Sequence, residues 1–92
     1  MTTTPQRFPL GQVVATANAA ASLPTLDILS ALDRHASGDW GELSAGDRIA
    51  NDTAVAAGER ILSAYSTAGG TRFWIITERD RSYTTVLLPE DY

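Results

Sequence analysis

The sequence predicts an α+β domain: a three-stranded antiparallel meander, with room for a fourth, N-terminal strand, covered on one face by two or three helices. Three observations support that class. The last third of the chain, Arg60 to Tyr92, is its densest region in aromatic and β-branched residues, and these fall in three runs cut by two turn signals. Upstream, two segments space their apolar residues at three- and four-residue intervals, the period of a helix with one buried side. Finally, 92 residues suffice for one hydrophobic core and not for two, so residues 1–92 are expected to form a single domain.

Taken in order, residues 1–8 are polar, contain Pro5 and read as a flexible tail. The short β-branched run from Gln12 to Thr16 suits an edge strand or a segment lying across the sheet. Thr16 can cap a brief alanine-rich turn of helix over Ala17 to Ser22, which Leu23-Pro24 ends because the residue before proline avoids the helical region. Thr25 is the better N-cap, with Asp27 in the first turn where the helix dipole favours a negative charge. The helix it opens, Leu26 to Ala36, aligns Leu26, Leu29, Leu32 and Ala36 as an apolar stripe, and Gly38 stops it.

The loop G-D-W-G-E-L follows, where Trp40 either plugs the core or anchors a partner. Ser44 with Asp47 resembles a capping box, the shorter acid replacing Glu or Gln. Its helix, Ala45 to Ala57, groups Ile49, Thr53, Ala54 and Ala57 on one side and ends at Gly58. The strands of the meander are Arg60 to Ser66, Arg72 to Thr77 and Tyr83 to Leu88. Gly69-Gly70 forms the first turn, residues 78–82 the second, and Pro89 the stop. Alternation sends Phe73 and Ile75 to one face and Trp74 and Ile76 to the other. Both faces are apolar, so the face without helices needs the N-terminal segment, a second subunit or a partner.

Charge and composition exclude several classes. No apolar run approaches the roughly 20 residues that a bilayer span requires, and M-T-T-T-P-Q-R lacks the order of a secretory signal, so a cytoplasmic location away from membranes is expected. With no cysteine and one histidine, His35, disulfides and cysteine-ligated zinc are impossible. Asp39 and Glu42 lack a third ligand and calcium-loop spacing, so neither a metal nor another cofactor is expected. All seven basic residues are arginine. Residues 1–26 carry only Arg7, residues 27–59 carry a net charge of −5, and residues 60–92 are balanced. An acidic middle should repel nucleic acid and attract a basic protein surface. The arginines form no basic stripe: Arg79 and Arg81 alternate with Glu78 and Asp80, and Arg60 follows Glu59.

Catalytic signals are weak. T-E-R-D-R-S-Y-T-T, residues 77–85, can bind an anion through guanidinium forks or pair with itself across the turn. Ser82 has no supporting histidine nearby in sequence and no glycine-flanked nucleophile elbow. His35 sits where a helix C-terminus is expected, as a dipole partner or a solvent-facing residue. A small hydrolase built on Ser82 or the Glu78–Asp80 turn is the least favoured reading.

The segments F-P-L-G-Q-V-V-A-T, G-D-W-G-E-L, R-I-L-S-A-Y and W-I-I-T-E-R-D-R-S-Y-T-T-V-L-L-P-E-D-Y together resemble a family of small bacterial proteins carried on plasmids and other mobile elements, over nearly the whole chain. Some relatives bear the label of a type I restriction modification subunit. A methyltransferase subunit needs a cofactor-binding α/β domain and an N-P-P-F-like loop, and the chain has neither. The resemblance implies mobile-element cargo encoded near defence systems and transfers no catalytic residue.

Small acidic proteins of such elements often inhibit host defence. The leading expectation is therefore a non-enzymatic anti-CRISPR or anti-restriction inhibitor. It would mimic DNA and occupy the basic nucleic-acid groove of a CRISPR effector or restriction complex, without touching nucleic acid itself. Its expected footprint is Asp39, Glu42, Asp47, Asp52 and Glu59, with Trp40 as anchor. The alternative is a homodimeric adaptor of the element whose open sheet face pairs with itself.

Overall fold

The computed structural model describes residues 5–92. Four strands, β1 (Gln12–Ala15), β2 (Ile61–Ser66), β3 (Arg72–Thr77) and β4 (Tyr83–Leu87), form one sheet in the order β1-β4-β3-β2. Three helices, α1 (Ala17–Ser22), α2 (Thr25–Ala36) and α3 (Ala45–Ala57), separate β1 from β2, and a 3-10 turn, Pro89–Asp91, follows β4. The α+β class and the β2-β3-β4 meander are as the sequence predicts. The fourth strand is present, but it pairs parallel to β4, with Val13 beside Thr84 and Val14 beside Thr85. Parallel pairing requires a long crossover, and the helices and the rest of the sheet supply it. Among the described residues no helix is long and apolar enough to cross a membrane.

Local chemistry places most boundaries. Thr16 caps α1 by accepting from the Ala19 amide, and Ser44 caps α3 by accepting from the Asp47 amide. Gly58 ends α3 in the left-handed region. In the β2-β3 turn only Gly70 has a positive φ, and Gly69 does not. The β3-β4 turn places a non-glycine residue, Arg81, at φ 60°. Its guanidinium holds it there, donating to the carbonyls of Glu59, Glu78 and Ala54 at 2.6, 3.0 and 3.1 Å, and it lies over the Phe8 ring.

The core lies between the helices and one face of the sheet. Tyr65, Phe73, Ile75 and Val86 meet Ala19, Leu23, Ala31, Leu32 and Leu88, and a second cluster joins Phe8, Trp40, Ala54 and Ile61. Both helix stripes are rotated from the expected ones. α2 buries Ala31, Leu32, His35 and Ala36, with Ile28 half-buried, and leaves Leu26 78% exposed and Leu29 exposed. α3 buries Asn51 and Ala54 and exposes Ile49. Two stripes of similar hydrophobicity overlap on α2, and the polar partners of His35 select one of them.

The flexible tail expected over residues 1–8 does not hold at its inner end. The Arg7 amide donates to the Ala36 carbonyl at 2.8 Å, and Phe8 is buried against Trp40 and His35. Residues 1–4 lie outside the described residues. On the opposite face the C-terminal turn covers part of the sheet. Tyr92 meets Trp74 edge-on at 5.6 Å, Arg60 lies over the Tyr92 ring and donates to its hydroxyl, and Ile76 and Leu87 are buried beneath.

The two sheet edges differ. Along β2, every outward polar group of Leu62 and Ala64 is satisfied from within the chain. The Asn51 amide donates to the Leu62 carbonyl and accepts from the Leu62 amide, as a neighbouring strand would. Ala64 donates to the Trp40 carbonyl and accepts from the Glu42 amide. This close approach needs Gly41, at φ 74°, because a β-carbon there would run into the Ala64 carbonyl oxygen. Gly41→Ala is expected to destabilise the fold by roughly 2 kcal/mol or more. Urea unfolding reads this as a lower midpoint, and an unchanged midpoint would show that the loop does not hold the edge.

Candidate functional site

Three arrangements carry polar or exposed chemistry: the acidic residues, a buried serine-histidine chain, and the β1 edge. Each of the expected acidic residues has a defined place. Asp39 follows the end of α2 and accepts two bonds from Arg34, at 2.7 Å from Nε and 3.2 Å from Nη2, and a third from the Gly41 amide. Arg34 beside it holds its carboxyl below the usual range. Asp52, on α3, accepts from Trp40 Nε1 at 3.0 Å and from Arg7 at 3.1 Å, and those two donors depress its pKa in that order. Glu42 accepts from the Ser66 hydroxyl at 2.9 Å and lies 3.9 Å from Arg72.

Asp47 lies in the first turn of α3, on a shallow groove shared with Leu43, Ala50, Asn51 and Leu62. Glu59 lies past the other end of that helix, beside Arg60, Glu78 and Arg79. Asp47 and Glu59 are therefore separated by roughly 18 Å along the helix path, at about 1.5 Å per residue. These acids form no continuous carboxylate surface. Arg7, Arg34 and Arg72 lie among them as ion-pair partners, and Arg48 ties the same loop by donating to the Gly41 and Leu43 carbonyls.

Trp40 is not an exposed anchor. It is 3% exposed, stacked on Phe8 and edge-on to His35, so it plugs the core. Its indole N–H donates to Asp52, and that bond together with the one from Arg7 holds the carboxylate in place. In the 78–85 segment, Ser82 donates to Asp80 at 2.6 Å, Glu78 faces Arg60 at 3.8 Å, and Arg81 turns inward. The segment pairs with itself and its neighbours.

The buried chain was not legible in the sequence. His35 is 0% exposed, with Nδ1 against Ser63 Oγ and Nε2 2.9 Å from Thr77 Oγ1. Thr77 Oγ1 is 2.7 Å from Thr84 Oγ1, which donates to the Leu10 carbonyl at 2.7 Å. The last bond orients the others. Thr84 has spent its proton on a carbonyl, so Thr77 donates to Thr84 and accepts from His35 Nε2–H. His35 Nδ1 then accepts from the Ser63 hydroxyl. A serine donating to a histidine is the local geometry of an activated nucleophile, but here both residues are fully buried. Burial, with the nearby Arg81 charge second, lowers the His35 pKa to about 3, so the ring is neutral. Among the described residues no group of three or more His, Asp or Glu could hold a metal ion.

The third arrangement is the β1 edge. The Gln12 amide donates to the Ser82 carbonyl and the Thr16 amide to the Val86 carbonyl, so even-numbered residues of the strand face β4. The backbone N–H and C=O of Val13 and Ala15 therefore point away from the sheet, and no described strand pairs with them. All of β1 is exposed, with Val13 at 44% and Val14 at 38%, and Tyr83 beside it is exposed too. Residues 8–26 contain no charged side chain, a run of nineteen in a chain with eighteen Asp, Glu and Arg residues. That gap in the charge pattern is the sequence signal for this flank. A comparison with protein families, with curated proteins and with solved structures found no match for this chain.

Stability should report the neutral state of His35. The ring takes a proton readily in the unfolded chain, near its ordinary pKa of 6.5, and in the fold only near 3. Its contribution is thus fully present above pH 6.5 and is lost as the pH falls toward 3, at up to about 1.4 kcal/mol per pH unit. Urea titrations between pH 7 and pH 4.5, above most of the carboxylate range, should show this slope. A flat profile over that interval would contradict the buried assignment.

Proposed function

We propose that this chain is a non-enzymatic, protein-binding adaptor of a mobile genetic element, working in the cytoplasm through its free β1 edge. One observation carries the reading: the two edges of a single small sheet are treated oppositely. The outward polar groups of Leu62 and Ala64 on β2 are capped by Asn51 and the Gly41 loop, whereas the outward groups of Val13 and Ala15 on β1 have no partner among the described residues and are flanked by exposed valines with no charge. An edge strand with no lysine, proline or inward charge is a template for another strand, and strand addition is a recurrent mode of protein recognition. The non-catalytic part of the reading is supported by the closure of Ser63 and His35, the one serine-histidine pair in hydrogen-bond contact among the described residues.

A second reading, the inhibitor of a CRISPR effector or restriction complex, draws on the net charge of −4 and on the mobile-element resemblance. Its electrostatic footprint is weaker than the sequence suggests, since Asp39, Glu42 and Asp52 face arginines and Trp40 is interior. Asp47 and Glu59 take no part in any ion pair among the described residues and would carry what remains of it.

The two readings separate on one experiment. A photo-crosslinking side chain is placed at position 13 and, as a control, at the exposed position 49, in cells that carry the element and a candidate defence complex. Adducts with protein at position 13 that vanish with Ala15→Pro support the adaptor. That substitution removes an outward N–H without touching the bonds to β4. Absence of adducts at position 13, together with salt-sensitive binding to the purified defence complex that Asp47→Asn and Glu59→Gln abolish, would replace the adaptor with the inhibitor.

A further inference from the structure

We infer that the strand received by the β1 edge is the β1 edge of a second copy of this chain, paired antiparallel about a two-fold axis at Val14. The inference rests on reading β1 as the docking element and names its occupant. Two features of the molecule select a second copy.

The first is register. The outward groups belong to Val13 and Ala15, which are symmetric about Val14. In a two-fold antiparallel pairing Val13 of one copy faces Ala15 of the other, each such pair exchanges both backbone bonds, and the two Val14 side chains meet at the axis. Every outward group of the strand is then satisfied. The two four-stranded sheets become one continuous sheet, and no other segment is required.

The second is charge and closure. Each copy carries a net charge of −4, so contact through an acid-bearing face brings like charges together. The β1 flank, residues 8–26, has no charge to repel its own image. The carboxylate bonded to it, Asp91, is taken up by Thr16, Asn18 and the Leu88 amide. The β2 edge is closed by Asn51 and the Trp40–Glu42 loop, so β1 of one copy cannot pair with β2 of the next. Head-to-tail growth is blocked, and the assembly stops at two. The paired strand is four residues long, so the dimer is concentration-dependent rather than obligate.

Sedimentation equilibrium across a dilution series of the purified chain tests this. The wild type is expected to pass from monomer to dimer and no further. Ala15→Pro should weaken dimerisation by about a hundredfold, two lost hydrogen bonds at roughly tenfold each. Its unfolding midpoint tells loss of pairing from loss of fold. Val14→Lys and Val14→Glu should each be monomeric alone and should form a mixed dimer when combined, because the two-fold sets residue 14 against itself. A wild type that stays monomeric at millimolar concentration overturns the inference. So does a dimer that survives Ala15→Pro, or a failure of the Val14→Lys and Val14→Glu chains to associate when mixed. If the wild type is monomeric while position 13 still crosslinks to another protein, the second copy is lost as occupant and β1 stands as the docking edge.

Discussion

The architecture depends on one run of hydrogen bonds buried beneath α2. From Ser63 through His35, Thr77 and Thr84 to the Leu10 carbonyl, it links a helix, three strands and the segment that leads into the fourth. The side chains of Ser63, His35, Thr77 and Thr84 lie where water cannot replace a missing partner, so each of these groups left orphaned costs on the order of 1–3 kcal/mol. That requirement sets features which hydrophobicity leaves open. It turns α2 so that His35, rather than Leu29, faces the sheet. It draws residue 10 onto β4, and with it sets the start of β1. Among the described residues no buried side-chain polar atom lacks a partner, so the network is complete.

The sheet built on that network handles the same backbone chemistry in two ways. A strand edge exposes one N–H and one C=O at every second residue, and natural sheets usually cover or disrupt them. On β2 the covering is achieved by a single asparagine and a glycine-dependent loop, and the loop also brings Trp40 into the core. On β1 no described residue does this work. A crossover that places the N-terminal strand parallel to β4 leaves its far side without a partner among the described residues, and the adjoining α1 packs on the core through Ala19 instead.

Arginine explains why net charge and surface character diverge. Of the seven arginines, Arg7, Arg34, Arg60 and Arg72 pair with carboxylates, while Arg48 and Arg81 direct their guanidinium groups at carbonyls. The forked donor geometry suits both tasks. An acidic middle third therefore folds into a mixed surface, because Arg7 from the N-terminal segment and Arg72 from β3 are brought against Asp52 and Glu42. Exposed pairs of this kind add little stability, but they remove the uniform field that mimicry of nucleic acid would need.

The sequence by itself determined the α+β class, the three meander strands and their turns, the caps at Thr16 and Ser44, and the stops at Gly38 and Gly58. These depend on side-chain alternation, φ preference and capping bonds that span a few residues. Only the tertiary structure decided that β1 runs parallel to β4 at the end of the sheet, that Trp40 and Phe8 are interior, that Leu26 and Ile49 are not, and that His35 is a buried neutral donor. Each of those outcomes turns on a partner far along the chain: Ser63 is 28 positions from His35, Asp52 is 45 from Arg7, and Leu10 is 74 from Thr84. Periodicity names the candidates for burial, and satisfaction of polar groups across the fold chooses among them.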